Sequence, residues 1–126
     1  MDFSKYDALK LENQLCFPLY AAAKEVVRKY KPYLDEIDLT YTQYITMMVL
    51  WQYKEMNVKE LGKYLFLDSG TLTPVLKKLE QKGYITRKRD DKDERVLNIA
   101  ITKNITFFVG ENGTGKSTLL KLLLGF

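Results

Sequence analysis

Histidine is absent from this chain of 126 residues, and cysteine occurs once, at Cys16. Those two scarcities exclude a structural zinc site of the usual ligand count, a histidine-based catalytic triad and an internal disulfide. A lone thiol fits a reducing compartment. The start, MDFSKYD, lacks the basic segment and apolar core of a signal peptide. No apolar run approaches the roughly 20 residues needed to cross a bilayer. The chain is therefore expected to be soluble and cytoplasmic. Neither sign of charge dominates: 20 Lys and Arg face 16 Asp and Glu, a net +4.

What is present is ordinary globular composition with an uneven distribution of cations. Lys77, Lys78, Lys82, Arg87, Lys88, Arg89, Lys92 and Arg95 crowd one stretch, the pattern of a polyanion-binding face. A solvated helix face followed by a charged hairpin would give the same composition. Position has to decide between them.

Helical spacing of Leu9, Leu15, Cys16, Leu19, Tyr20, Ala23, Val26, Val27 and Tyr30 predicts one long helix over residues 6–33 with an apolar face. Pro18 is expected to kink it, and Lys31-Pro32 to fray its end. Thr40 with Gln43 forms a capping box that opens a second helix through Ile45, Met48, Val49 and Trp51. Asn57 with Glu60 opens a short third helix carrying Val58, Leu61 and Leu65. A fourth starts at Asp68 or Ser69, carries Leu72, Val75, Leu76 and Leu79, and stops at Gly83. Pro74 falls in its first turn or just beyond. Stretches at residues 84–88 and 96–101 that alternate or run apolar, separated by DDKDE, predict a β-hairpin. The fold class is α+β and mainly α: a winged helix-turn-helix over residues 39–102 behind a long N-terminal helix, followed by a strand–phosphate loop–helix fragment over residues 103–126.

The fourth helix and the hairpin together carry the functional argument. A recognition helix presents short polar side chains at its N-terminal end to base edges in the major groove. Here that end is Asp68, Ser69, Gly70, Thr71 and Thr73. Lys77 and Lys78 follow about a turn later, where phosphates flank the groove. The hairpin adds Arg87, Lys88, Arg89 and Arg95, and an arginine at a wing tip suits the negative minor groove. Each cation alone reads as a solubilising charge; the ordered set reads as DNA binding.

These residues resemble the MarR family of bacterial transcriptional regulators, and within it the one-cysteine branch that senses organic hydroperoxides. The resemblance spans about residues 9–102. It rests on LCFPLYAA around Cys16, LTYTQY at Leu39–Tyr44, LDSGTLTPVLKKLE at Leu67–Glu80, and the wing pattern of Asp90, Asp93 and Arg95. The resemblance implies a DNA-binding, repressor-like regulator and a homodimer built on the first helix. It places Ser69, Thr71, Thr73 and Lys77 on the recognition helix and Arg95 at the wing, with Asp90 and Asp93 bracing the wing through arginine pairing. The family continues past its wing with two helices that close the dimer, and this chain has other residues there.

Cys16 on an apolar helix face is ordinarily a buried small hydrophobe. Tyr20, one turn away, and Tyr30, toward the far end, argue for a second role, because phenolic hydroxyls stabilise the thiolate that attacks peroxides. In the resembling branch such a cysteine and two tyrosines form the sensor, one tyrosine coming from the partner subunit.

The tail has its own signature. Gly110 to Ser117 satisfies G-x-x-x-x-G-K-[ST], after an apolar run at residues 105–109 and before one at 118–124. Gly110, Gly113, Gly115, Lys116 and Ser117 are the candidate nucleotide-binding residues, with Lys116 on phosphate and Ser117 on Mg²⁺. The wording resembles ATP-binding cassette and AAA-type ATPases. Such domains need several parallel strands covered by helices and an acidic residue on a second strand for the metal, which do not follow before Phe126, so ATP hydrolysis is not expected. No catalytic residue, resident metal or cofactor is assigned, and ATP with Mg²⁺ is the one ligand this tail suggests. The alternative reading of the chain is an ATP-binding fragment with an incidental N-terminal segment.

Overall fold

The computed structural model describes residues 2–102. Two single 3₁₀ turns, Asp7–Leu9 and Leu11–Asn13, lead into α1 (Cys16–Glu36). Then follow α2 (Tyr41–Tyr53), β1 (Glu55–Asn57), α3 (Val58–Leu65), α4 (Ser69–Gln81), β2 (Ile85–Arg89) and β3 (Leu97–Ile101). The strands form one antiparallel sheet in the order β1-β3-β2, with Arg87 opposite Ile99 and Met56 opposite Ile99 from the other side.

The starts of the helices are set by their caps. Thr40 Oγ1 accepts from Gln43 N at 3.2 Å while Gln43 Oε1 accepts from Thr40 N at 3.1 Å. Asn57 and Glu60 repeat the arrangement at the start of α3. Each box satisfies two amides that a helix start leaves without intrahelical partners. α4 ends on Gly83 at φ +80, with Gly83 N donating to Glu80 O and Tyr84 N to Leu79 O. That pair of bonds closes the helix C-terminus and turns the chain into β2.

The core gathers Leu34, Ile37 and Leu39 with Tyr44, Met47 and Leu50 of α2, Leu61 of α3, Leu72, Leu76 and Leu79 of α4, and Met56, Ile85 and Ile99 of the sheet. One contact inside it demands glycine. A Cβ on Gly62 would lie 2.5 Å from the Leu67 carbonyl oxygen, so the turn between α3 and α4 closes only around a bare Cα.

Three expectations are corrected. The N-terminal helix does not begin near residue 6: the chain reaches Cys16 through the two 3₁₀ turns. Pro18 is therefore the third residue of α1, where its missing N–H costs nothing, and it falls among the free amides of a helix start. Nor does Lys31-Pro32 fray the end, because α1 runs through Pro32 to Glu36. The docking of Tyr33, Leu34 and Ile37 on the core holds that last turn in place. β1 is an addition the sequence pattern did not announce.

Candidate nucleic-acid interface

α4 is anchored at its start by Asp68, whose Oδ1 accepts from Thr71 N at 2.7 Å. The Thr71 amide and hydroxyl hold this carboxyl below the usual carboxylate range. With about 3.6 residues per turn, Leu72, Leu76 and Leu79 face the core, where they are buried. Gly70, Pro74 and Lys77 then form the outward crest, with Ser69 and Thr73 on one flank and Thr71 and Lys78 on the other. The crest carries little bulk, so the helix backbone can approach a partner closely.

The Ser69 flank opens on a groove of about 850 Å³ whose walls include Lys59 and Lys63 of α3, Thr73, and the wing arginines Arg87, Arg89 and Arg95. Ser69, Thr73 and Arg95 thus share one concave face. Thr71, Lys77 and Lys78 are exposed on the adjoining surface. Thr73 Oγ1 donates to Ser69 O at 2.7 Å, leaving its lone pairs free to accept.

The wing is braced from within. Asp90 Oδ1 accepts from Lys92 N and Asp93 N, and its Oδ2 accepts from Asn98 Nδ2. These donors hold Asp90 below the usual range, the Lys92 amide most. Asp93 receives Arg95 Nε at 3.0 Å and Arg95 Nη2 at 3.1 Å, a fork that lowers its own titration. Arg95 nevertheless keeps its side chain 91% exposed, so it is oriented yet accessible. Asp93 fulfils the expected arginine pairing, whereas Asp90 does not. Its oxygens are taken by backbone amides and an asparagine in a tight turn.

Two cations of the basic stretch, one of them the expected DNA contact Arg87, are held in ion pairs. Arg87 is half-buried, with Nη2 2.9 Å from Glu80 Oε1 and its amide donating to Glu80 Oε2 at 3.2 Å. It ties β2 to α4, and its guanidinium keeps the Glu80 carboxyl low. Lys82 turns inward to the Asp38 carbonyl, the Asp38 carboxylate at 3.2 Å and Gln43 Oε1 at 3.5 Å. It fastens the α1–α2 corner to the end of α4. Lys59 and Lys63, which the sequence reading did not name, join Arg89 and Arg95 on the groove. The spacing of Lys59 and Lys63, one turn apart in the third helix, was the signal available for the first two.

The proposed sensor residues are spread along α1. Cys16 is its first residue and is exposed, so the buried-hydrophobe reading fails for the single chain. Tyr20 is also exposed, with the Lys24 ammonium 5.3 Å from its ring centre. Tyr30 lies about 21 Å from Cys16 along the helix axis. There it packs edge-on against Tyr41 at 5.5 Å and beside Tyr44 at 6.2 Å. Burial and the neighbouring Tyr30 push the Tyr41 phenol above its ordinary value. One chain therefore does not bring Cys16 and Tyr30 together. Gly110, Gly113, Gly115, Lys116 and Ser117 lie outside the described residues. Among the described residues there is no cluster of three or more metal-ligating side chains, and no helix is long and apolar enough to cross a membrane.

Residues 28–106 match the family described as transcriptional regulator SarA/Rot. The chain belongs to the SarA/Rot family. It is 52% identical over 101 residues to the organic hydroperoxide resistance transcriptional regulator of Bacillus subtilis, covering 80% of this chain and 69% of that protein. It is 54% identical over 93 residues to SarZ of Staphylococcus aureus, covering 74% of this chain and 63% of SarZ. A structure of reduced AbfR bound to DNA superposes with a TM-score of 0.71 at 38% identity, over 79% of this chain and 70% of that one. The chain thus spans between about three-fifths and seven-tenths of these relatives. As a SarA/Rot member it is a transcriptional regulator of the MarR-like winged-helix type. The comparisons lend no support to a nucleotide-binding portion, and the ATP-binding alternative is set aside.

Proposed function

We propose that this protein is a homodimeric DNA-binding repressor whose hold on its operator is released by oxidation of Cys16. The observation that carries DNA binding is the convergence of Ser69, Thr73 and Arg95 on one groove. α4 enters the major groove through its unbulky crest, and Lys77 and Lys78 meet the flanking phosphates. Arg95, steered by Asp93, reaches the adjacent minor groove, and the strand between the two grooves passes over Lys59 and Lys63. The close relation to a DNA-bound regulator supports the same reading.

A dimer follows from the exposed apolar residues of the N-terminal segment and α1. Leu15, Leu19, Tyr20 and Val26 are all more than half exposed, a stripe that invites association. Antiparallel packing of two such helices would set Cys16 of one copy near Tyr30 and Tyr41 of the other, the separation within a single chain being too great. On oxidation the Cys16 sulfur attacks one peroxide oxygen and the O–O bond breaks. The other oxygen leaves as an alcohol, and Cys16 becomes a sulfenic acid, oxidised by two electrons. A small thiol then condenses with it, giving a mixed disulfide and water. The added group at the helix start disturbs the paired α1 helices and with them the spacing of the two recognition helices.

The test is operator binding before and after treatment with an organic hydroperoxide. Wild type is expected to release DNA on oxidation and Cys16→Ser to retain it. Release by Cys16→Ser on the same treatment would refute the sensor assignment and leave the DNA-binding assignment standing.

A further inference from the structure

Phe66 is not accounted for by folding. It is 93% exposed, the most exposed large apolar side chain among the described residues. Its backbone holds φ 55 and ψ 39, a left-handed conformation that a Cβ disfavours and that helix ends usually assign to glycine or asparagine. The corner is firm nonetheless: Phe66 N and Leu67 N both donate to Gly62 O. A rigid turn therefore displays an aromatic ring to solvent at a position where the fold alone would favour a smaller residue.

Its surroundings identify the occupant. The ring lines the groove described above together with Lys59, Lys63, Ser69, Arg89 and Arg95. A second copy of this patch would bring the same cations against one another, so a symmetric protein contact is opposed. A nucleic-acid duplex suits the site, because it offers phosphates for the cations and apolar edges for the ring. We propose that Phe66 is a DNA-contact residue that packs on the apolar edge of the strand held by Lys63. That edge is either a deoxyribose or the C5-methyl of a thymine. The assignment rests on the DNA-binding reading above.

The experiment uses the full chain and a duplex that wild type selects from a randomised pool. Phe66→Ala and Phe66→Asn are expected to fold with an unchanged or raised melting temperature, since asparagine accepts the left-handed backbone. Both should bind the duplex about five- to tenfold more weakly with an unchanged salt slope. Lys63→Ala should instead lower that slope by about one. Duplexes with deoxyuridine in place of single thymines separate the two edges. A methyl contact predicts one position where the substitution weakens wild type and leaves Phe66→Ala unaffected. A sugar contact predicts no such position, with the Phe66 loss intact. Folded Phe66 variants that bind as wild type does would overturn the proposal, as would variants that change oligomeric mass and leave DNA affinity intact. Failure of wild type to select any duplex would overturn the DNA-binding reading and this assignment with it.

Discussion

From Leu34 onward nearly every large aliphatic side chain of the regular core positions is enclosed: Leu50, Leu61, Leu72, Leu79 and Ile99 have no measurable exposure. Before Val27 the same kinds of residue stand open, with Leu15 at 78%, Leu19 at 63% and Val26 at 58%. Both stretches carry apolar residues at helical spacing. The difference lies in what covers them. α2, α3, α4 and the sheet surround one another, while the first half of α1 projects beyond the module it is attached to. The winged helix encloses its core together with the last turn of α1, and the first half of α1 leaves its apolar stripe uncovered.

Breaking the enclosed region should have the largest effect. Leu72→Ala, which empties a fully buried site against α3 and Gly62, is expected to cost about 2–5 kcal/mol in chemical denaturation. Gly62→Ala comes next, at about 1–3 kcal/mol, because its Cβ would meet the Leu67 carbonyl oxygen and the helix-turn-helix corner must open. Asp68→Ala removes the acceptor for Thr71 N and should cost about 1 kcal/mol, with amide shifts confined to the first turn of α4. A change in the projecting region should act otherwise. Leu19→Glu is expected to leave the unfolding free energy of the monomer within about 0.5 kcal/mol while halving the mass seen by light scattering. Equal mass for Leu19→Glu and wild type would erase the contrast.

The smallest effect concerns pH. Asp90, Asp93 and Glu80 all titrate below their ordinary values in the folded chain. Their contribution is therefore present above the unfolded carboxylate range and is lost as pH falls through the lowered folded values, from about pH 4 downward. Amides of residues 90–96 should lose exchange protection there before those of α3 do. Simultaneous loss in both would show that the wing is not separately braced.

Much of this architecture was legible because its signals are local. The Thr40–Gln43 and Asn57–Glu60 boxes lie within four residues, Gly83 stops α4 where a positive φ is needed, and DDKDE divides two apolar runs. The span of α4, and with it the residues proposed for recognition, followed from those boundaries. What escaped depends on partners distant in sequence. β1 is three residues long and exists by pairing with β3, more than forty positions away. Arg87 and Lys82 read as free cations until Glu80, Asp38 and Gln43 are placed beside them. Lys63 and Phe66 join the proposed interface only once α3, α4 and the wing enclose a common groove. The apolar stripe of α1 was visible as a stripe, but periodicity does not say whether the same chain covers it.

The most direct measurement is an amide NMR titration of the full chain with a duplex selected from a randomised pool. Shifts are expected to concentrate at residues 68–78 of α4, at 63–66 and at 89–96 of the wing, with the exposed Tyr53 at the end of α2 undisturbed. Shifts centred on Tyr53, or on α1 alone, would contradict the DNA-binding assignment.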